Sequence, residues 1–121
     1  MSDPDDTRIV EGEIVLPDAE LPDEAAELVV QVEDVSRADA PSTVVGEQRV
    51  RDVRLAPGGR LRFHVEVPAS RVDPRLNYSL RAHVDVSGSG EVESGDLLTT
   101  QSYPVLTTEQ DDAPTVDVKL I

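Results

Sequence analysis

An antiparallel β-sandwich of about seven strands, immunoglobulin-like with Greek-key connections, is the fold this sequence predicts; a small closed β-barrel is the alternative. Three observations point there. From Arg8 onward the apolar residues recur at period two, and no segment sustains a helical period. Turn-forming Gly, Pro, Asn, Asp and Ser divide the alternating runs at short intervals. Finally, Pro74 and then Tyr78 stand at the mouth of a strand in "RVDPRLNYSLRAHVDV".

Residues 1–7 read as a solvated acidic tail, and 8–121 as a single domain. The first strand places Val10, Gly12, Ile14 and Leu16 on one face, with Glu11 and Glu13 opposite. "PDAELPDEAAE" is a connection punctuated by Pro17 and Pro22. "LVVQVEDV" is the second strand, with Leu28, Val30 and Val32 inward and Gln31 and Glu33 outward. "SRADAPS" is a loop. Residues 43–55 form a third strand that Gly46 interrupts with a break or bulge. "APGGR" then predicts a hairpin into "LRFHVEV", where Leu61, Phe63, Val65 and Val67 oppose Arg62, His64 and Glu66. The strand beginning at Tyr78 follows, with a "SGSG" turn after it. The remaining strands are expected near 91–100, at "SYPVLT", and at the end, where Val116, Val118 and Leu120 share a face. The first and last strands, 9–16 and 115–121, are the expected sheet edges.

Tyr78 fits a tyrosine corner. In Greek-key sandwiches the chain crosses between sheets, and a tyrosine opening the next strand buries its ring while its hydroxyl bonds upstream backbone. Pro74 fixes φ in that crossover and cannot join a ladder. The plainer alternative is a half-buried strand tyrosine with a wet hydroxyl. With only Phe63, Tyr78 and Tyr103 as aromatics, the core must be built of Val, Leu, Ile and Ala, and Phe63 is expected near its centre.

Composition removes several functions. There is no cysteine, which excludes disulfides, thiolate metal sites and cysteine nucleophiles. Twenty-five acidic residues against 11 basic ones give a formal charge of −14, which repels phosphate backbones and anionic lipid. Nucleic acid is therefore not an expected partner. Every cation except Lys119 is an arginine. That usage fits either a surface hydrated in strong salt or the codon bias of a GC-rich genome. No apolar run approaches the ~20 residues of a spanning helix. The N-terminus carries no secretory signal and no lipidation cysteine, so the chain as written is expected in the cytoplasm; an excised mature domain would instead belong to the envelope.

Three stretches carry a family resemblance. "ELVVQVEDVSRADAPSTVVGEQ", "GGRLRFHVEVPASRVDPRLNYSLRAHVDV" and "GDLLTTQSYPVL" resemble the YbaY/YscW lipoprotein family, the type III secretion lipoprotein chaperones. The resemblance runs from residue 8 to about 107. It implies a β-sandwich of the bacterial envelope, usually lipid-anchored. Some relatives act as pilotins, binding a secretin subunit and assisting its assembly. The motif residues are fold residues, so no catalytic position carries over.

The chemistry-bearing residues are few. His64 and His83 lie on the charged faces of their strands. Were those strands neighbours, the imidazoles with Glu66 or Asp85 would make a metal site; the plainer reading is two solvated histidines, with no metal and no cofactor. "DPDD" and "EQDDAP" lack the alternating ligands and glycine of a calcium loop. "SGSG" is too short for a phosphate loop, and no serine sits in a nucleophile motif. The expected function is that of a non-catalytic protein-binding module, monomeric, with a secretin or another envelope component as partner through the resemblance. The alternative is a small-ligand or metal-binding accessory domain.

Overall fold

Nine strands stack in two sheets in the computed structural model, which describes residues 7–36, 42–73, 75–101, 103–106 and 114–121. They are β1 (Thr7–Val15), β2 (Glu24–Asp34), β3 (Thr43–Arg54), β4 (Arg60–Pro68), β5 (Tyr78–Asp85), β6 (Leu97–Leu98), β7 (Pro104–Val105), β8 (Thr115–Asp117) and β9 (Lys119–Leu120). The smaller sheet has the order β4-β1-β8, the larger β3-β2-β5-β6-β9, with β7 also pairing β5. Neither sheet closes on itself, so the sandwich holds and the barrel alternative falls. All pairings are antiparallel except β1 with β8.

The period-two pattern accounts for the core. Val10 and Ile14 from β1, Leu28, Val30 and Val32 from β2, Phe63, Val65 and Val67 from β4, and Tyr78, Leu80, Ala82 and Val84 from β5 are all buried between the sheets. Their outward neighbours are mostly charged, which lets an antiparallel sheet face water on one side. The interruption at Gly46 is a bulge: Val32 faces Gly46 and Glu33 faces Val44, so Val45 is the extra residue. Gly46 must be a glycine there, because a Cβ would stand 2.7 Å from Val67 Cγ2 and 3.0 Å from the Glu66 carbonyl oxygen.

Several sequence expectations are corrected. β3 and β4 do not form a hairpin. "APGGR" carries the chain from the larger sheet to the smaller one, where β4 pairs β1. The turn residues signal a reversal of direction but not which sheet receives the next strand. β1 is no edge: it lies between β4 and β8. The final strand divides at Val118, where the chain changes sheets; β8 pairs β1, β9 pairs β6, and Leu120 is exposed rather than inward. The strand expected over 91–100 shrinks to Leu97–Leu98 because the residues before it form a loop.

The crossover from β4 to β5 also joins the two sheets. It runs through a single 3₁₀ turn at Ala69–Arg71 and ends at Tyr78. The Tyr78 ring is buried. Its hydroxyl accepts the Asp73 N–H at 2.8 Å and donates to the Arg71 carbonyl at 3.2 Å. Pro74 lies outside the described residues. Tyr78→Phe keeps the ring and removes both bonds, so it is expected to lower stability by ~1–2 kcal/mol. An unchanged urea midpoint would show that the hydroxyl contributes nothing.

Candidate functional site

The outer face of the larger sheet holds the densest set of polar chemistry. Alternation along β2 turns Glu27, Val29 and Gln31 outward; β5 does the same with Arg81, His83 and Asp85. Register sets them in rows: Val29 lies between Arg49 and His83, and Gln31 between Glu47 and Arg81. With Gly90 and Val92 from the loop after β5, these residues line an open cleft of ≈ 200 Å³. Arg49 is committed within it, paired to Glu27 at 2.7 Å and also to Glu47.

Beneath that loop lie two buried carboxylates, Asp85 and Asp96, each about 2% exposed or less. Asp85 accepts the N–H groups of Gly88 and Gly90 at 3.0 and 2.9 Å. Asp96 accepts those of Val86 and Glu93, both at 3.0 Å, and its Oδ2 lies 2.9 Å from His83 Nε2. Both oxygens of each carboxylate are therefore engaged. Buried charge persists only with such partners. Burial pushes the Asp96 carboxyl up, but the His83 bond and the two backbone N–H groups outweigh it and hold the group below the usual carboxylate range.

His83, Asp85 and Asp96 bring one ligand atom each to within 4.8 Å of one another. An imidazole and two carboxylates suit a divalent cation in kind. The backbone N–H groups of residues 86, 88, 90 and 93 bond these same carboxylate oxygens, so the cluster also anchors the loop. His83 and Asp96 offer the imidazole and carboxylate of a triad in kind, yet among the described residues no serine or threonine hydroxyl bonds His83.

The two histidines do not meet. His64 is on β4 of the smaller sheet and His83 on β5 of the larger. His64 is exposed between Glu11 at 3.1 Å and Glu66 at 3.5 Å; the Glu11 hydrogen bond foremost, with Glu66, outweighs the opposing effect of desolvation and holds its pKa above the usual histidine value. His83 is not solvated as the alternation implies, for its side chain is only 13% exposed. Asp85, expected on the outer face, does face outward and is buried there by the loop. Sequence reasoning missed Asp96. The available signal was Gly-rich chain on both sides of the pair, "DVSGSG" and "SGD", where Gly88, Gly90 and Gly95 take positive φ.

Because the Asp96 pKa is lowered on folding, its contribution is complete above the ordinary carboxylate value, about 4, and is lost as pH falls through the folded value. Asp96→Asn leaves donors and His83 without their carboxylate and is expected to cost ~1–3 kcal/mol at pH 7. The gap between variant and wild type should narrow toward pH 3, read from denaturation midpoints. A constant gap would remove the carboxylate charge from the argument.

Among the described residues no helix is long and apolar enough to cross a membrane. A family model for the type III secretion system lipoprotein chaperone (YscW) matches residues 5–120. Among solved structures, the fold is similar to an alternative pilotin from the type II secretion system of Vibrio cholerae. The TM-score is 0.76 at 20% identity, over 96% of this chain and 98% of that one. No curated protein sequence matches.

Proposed function

Because the chain belongs to the type III secretion system lipoprotein chaperone (YscW) family, we propose that it acts without catalysis, by binding a protein of an envelope secretion assembly. The observation that carries this reading is the extent of the match. Residues 5–120 include the nine strands found among the described residues, so the likeness lies in the whole sandwich and not in a shared local motif. The fold it shares with a pilotin supports a secretin subunit as the partner and the envelope as the place of action.

The test is calorimetric titration of the full chain with purified fragments of a secretin subunit. A saturable complex is the expected result. A second reading, a metal-binding accessory domain, draws on the approach of His83, Asp85 and Asp96. It requires zinc to raise the melting temperature by mass action and His83→Ala to abolish the rise. That outcome, with no secretin fragment bound, would replace the first reading with the second.

A further inference from the structure

Backbone accounting singles out one sheet edge. The outer strands are β4 and β8 in the smaller sheet, and β3, β7 and β9 in the larger. Four of these five edges are blunted or short. On β8, the Tyr103 hydroxyl takes the Asp117 N–H at 2.9 Å and donates to the Asp117 carbonyl at 3.3 Å. On β4, Gln48 Oε1 takes the His64 N–H at 2.7 Å. β7 is only Pro104–Val105 and β9 only Lys119–Leu120.

β3 is different. It is the longest strand of the described residues, Thr43–Arg54. Among these residues its backbone from Glu47 to Arg51 makes no hydrogen bond outside the ladder with β2. Residues 49–52 are all exposed. Asp52, at φ 55°, ends the flat stretch. An unpaired row of N–H and C=O groups is a template for an added strand.

Register defines what suits that template. Val50 pairs Leu28, so it shares the inner, apolar face, yet it is 37% exposed. Arg49 and Arg51 share the outer face with Val29 and Glu27. Arg49 is held by Glu27 and Glu47, whereas Arg51 makes no ion pair among the described residues. In a chain of net charge −14, Arg51 stands as an exposed cation on an open edge. An incoming strand would set an apolar residue against Val50 and a carboxylate against Arg51, as β2 already does on the other side with Leu28 and Glu27. A second copy fits poorly. Antiparallel pairing of two β3 edges about Val50 would set Arg49 of one against Arg51 of the other, and like charges directly opposite are destabilising.

We propose that residues Glu47–Arg51 of β3 take up an extended partner segment in which acidic and apolar residues alternate, extending the larger sheet by one strand. This rests on the protein-binding reading above and adds to it the surface and the chemistry of the segment bound. The probe is a fluorescein-labelled hexapeptide of alternating glutamate and valine, titrated into the full chain, with a lysine–valine hexapeptide as control. Saturable binding of the acidic peptide is expected. Arg51→Glu should weaken it by roughly tenfold and Arg51→Lys should restore most of it. Amide exchange should slow at residues 47–51 and not at 115–120. Melting curves of each variant separate lost binding from lost fold, since Arg51 is exposed.

Equal binding of both peptides, indifference to Arg51→Glu in a folded variant, or protection elsewhere would overturn the proposal. So would protection of 47–51 that grows with protein concentration in the absence of peptide, which would make the occupant a second copy. A secretin fragment that binds without protecting β3 would overturn this inference and leave the protein-binding reading standing. Peptide binding at β3 with no secretin fragment bound would leave the edge standing and remove the secretin as partner.

Discussion

Gly12→Ala is expected to destabilise the fold by ~3 kcal/mol or more, beyond the usual range for one added methyl. The reason is geometric. A Cβ at position 12 would stand 2.0 Å from the Pro114 carbonyl oxygen and 3.1 Å from its carbon, both backbone atoms that no rotamer change can move. That same carbonyl accepts the Glu13 N–H and leads into β8. Relieving the clash means moving β8 outward, together with Val116 and Val118, which are buried at 0% and 2% exposure. The position is therefore restricted by close approach and not by φ. Guanidinium denaturation of the variant measures the cost. A loss under about 1 kcal/mol would mean that β8 yields easily and contributes little.

Phe63→Ala is the second large effect, expected at ~3–5 kcal/mol. Phe63 is the chain's one phenylalanine and is 3% exposed. It lies directly across from Gly12 in the β1–β4 ladder, and its ring tip would be 3.2 Å from a Cβ there. The missing side chain at Gly12 leaves space that the ring partly fills. Removing the ring leaves a cavity in a core of small aliphatics that cannot collapse far without shifting β1. The two substitutions share this neighbourhood, so their costs should not add. Phe63→Ala should still not rescue Gly12→Ala, because the tighter contact is with Pro114 backbone. The double variant, measured against each single one, tests this.

The alternation in "LRFHVEV" and "NYSLRAHVDV" made β4 and β5 legible, because one buried face and one charged face suffice to specify such strands. The break at Gly46 was legible for a different reason: a glycine within a β-branched run signals an irregular backbone. Pairing was not legible. Residues 56–59 read as a turn whether the chain reverses within a sheet or crosses to the other. The short strands β6, β7 and β9 were hard to place because two residues show no period. His83 and Asp85 obeyed the alternation, so their burial could be known only once the loop of residues 86–96 folded over the face. Asp96 was invisible for the same reason. Its role depends on three partners, Val86, Glu93 and His83, that local pattern does not bring together.

The parallel pairing of β1 with β8 has a consequence for synthesis. Residues 13–15 meet residues 115–117, so β1 waits for a strand made much later. While the ribosome is still elongating, β1 can pair β4, but its other side stays open and Ile14 lacks the cover of Val116. The smaller sheet is therefore complete only after β8 has emerged, and such distant pairing is intrinsically slow to form. The nascent chain is exposed to misassociation along β1 for that interval. Clearing the interval quickly is a task for β8 itself, three residues long, held from the far side by the hydroxyl of Tyr103.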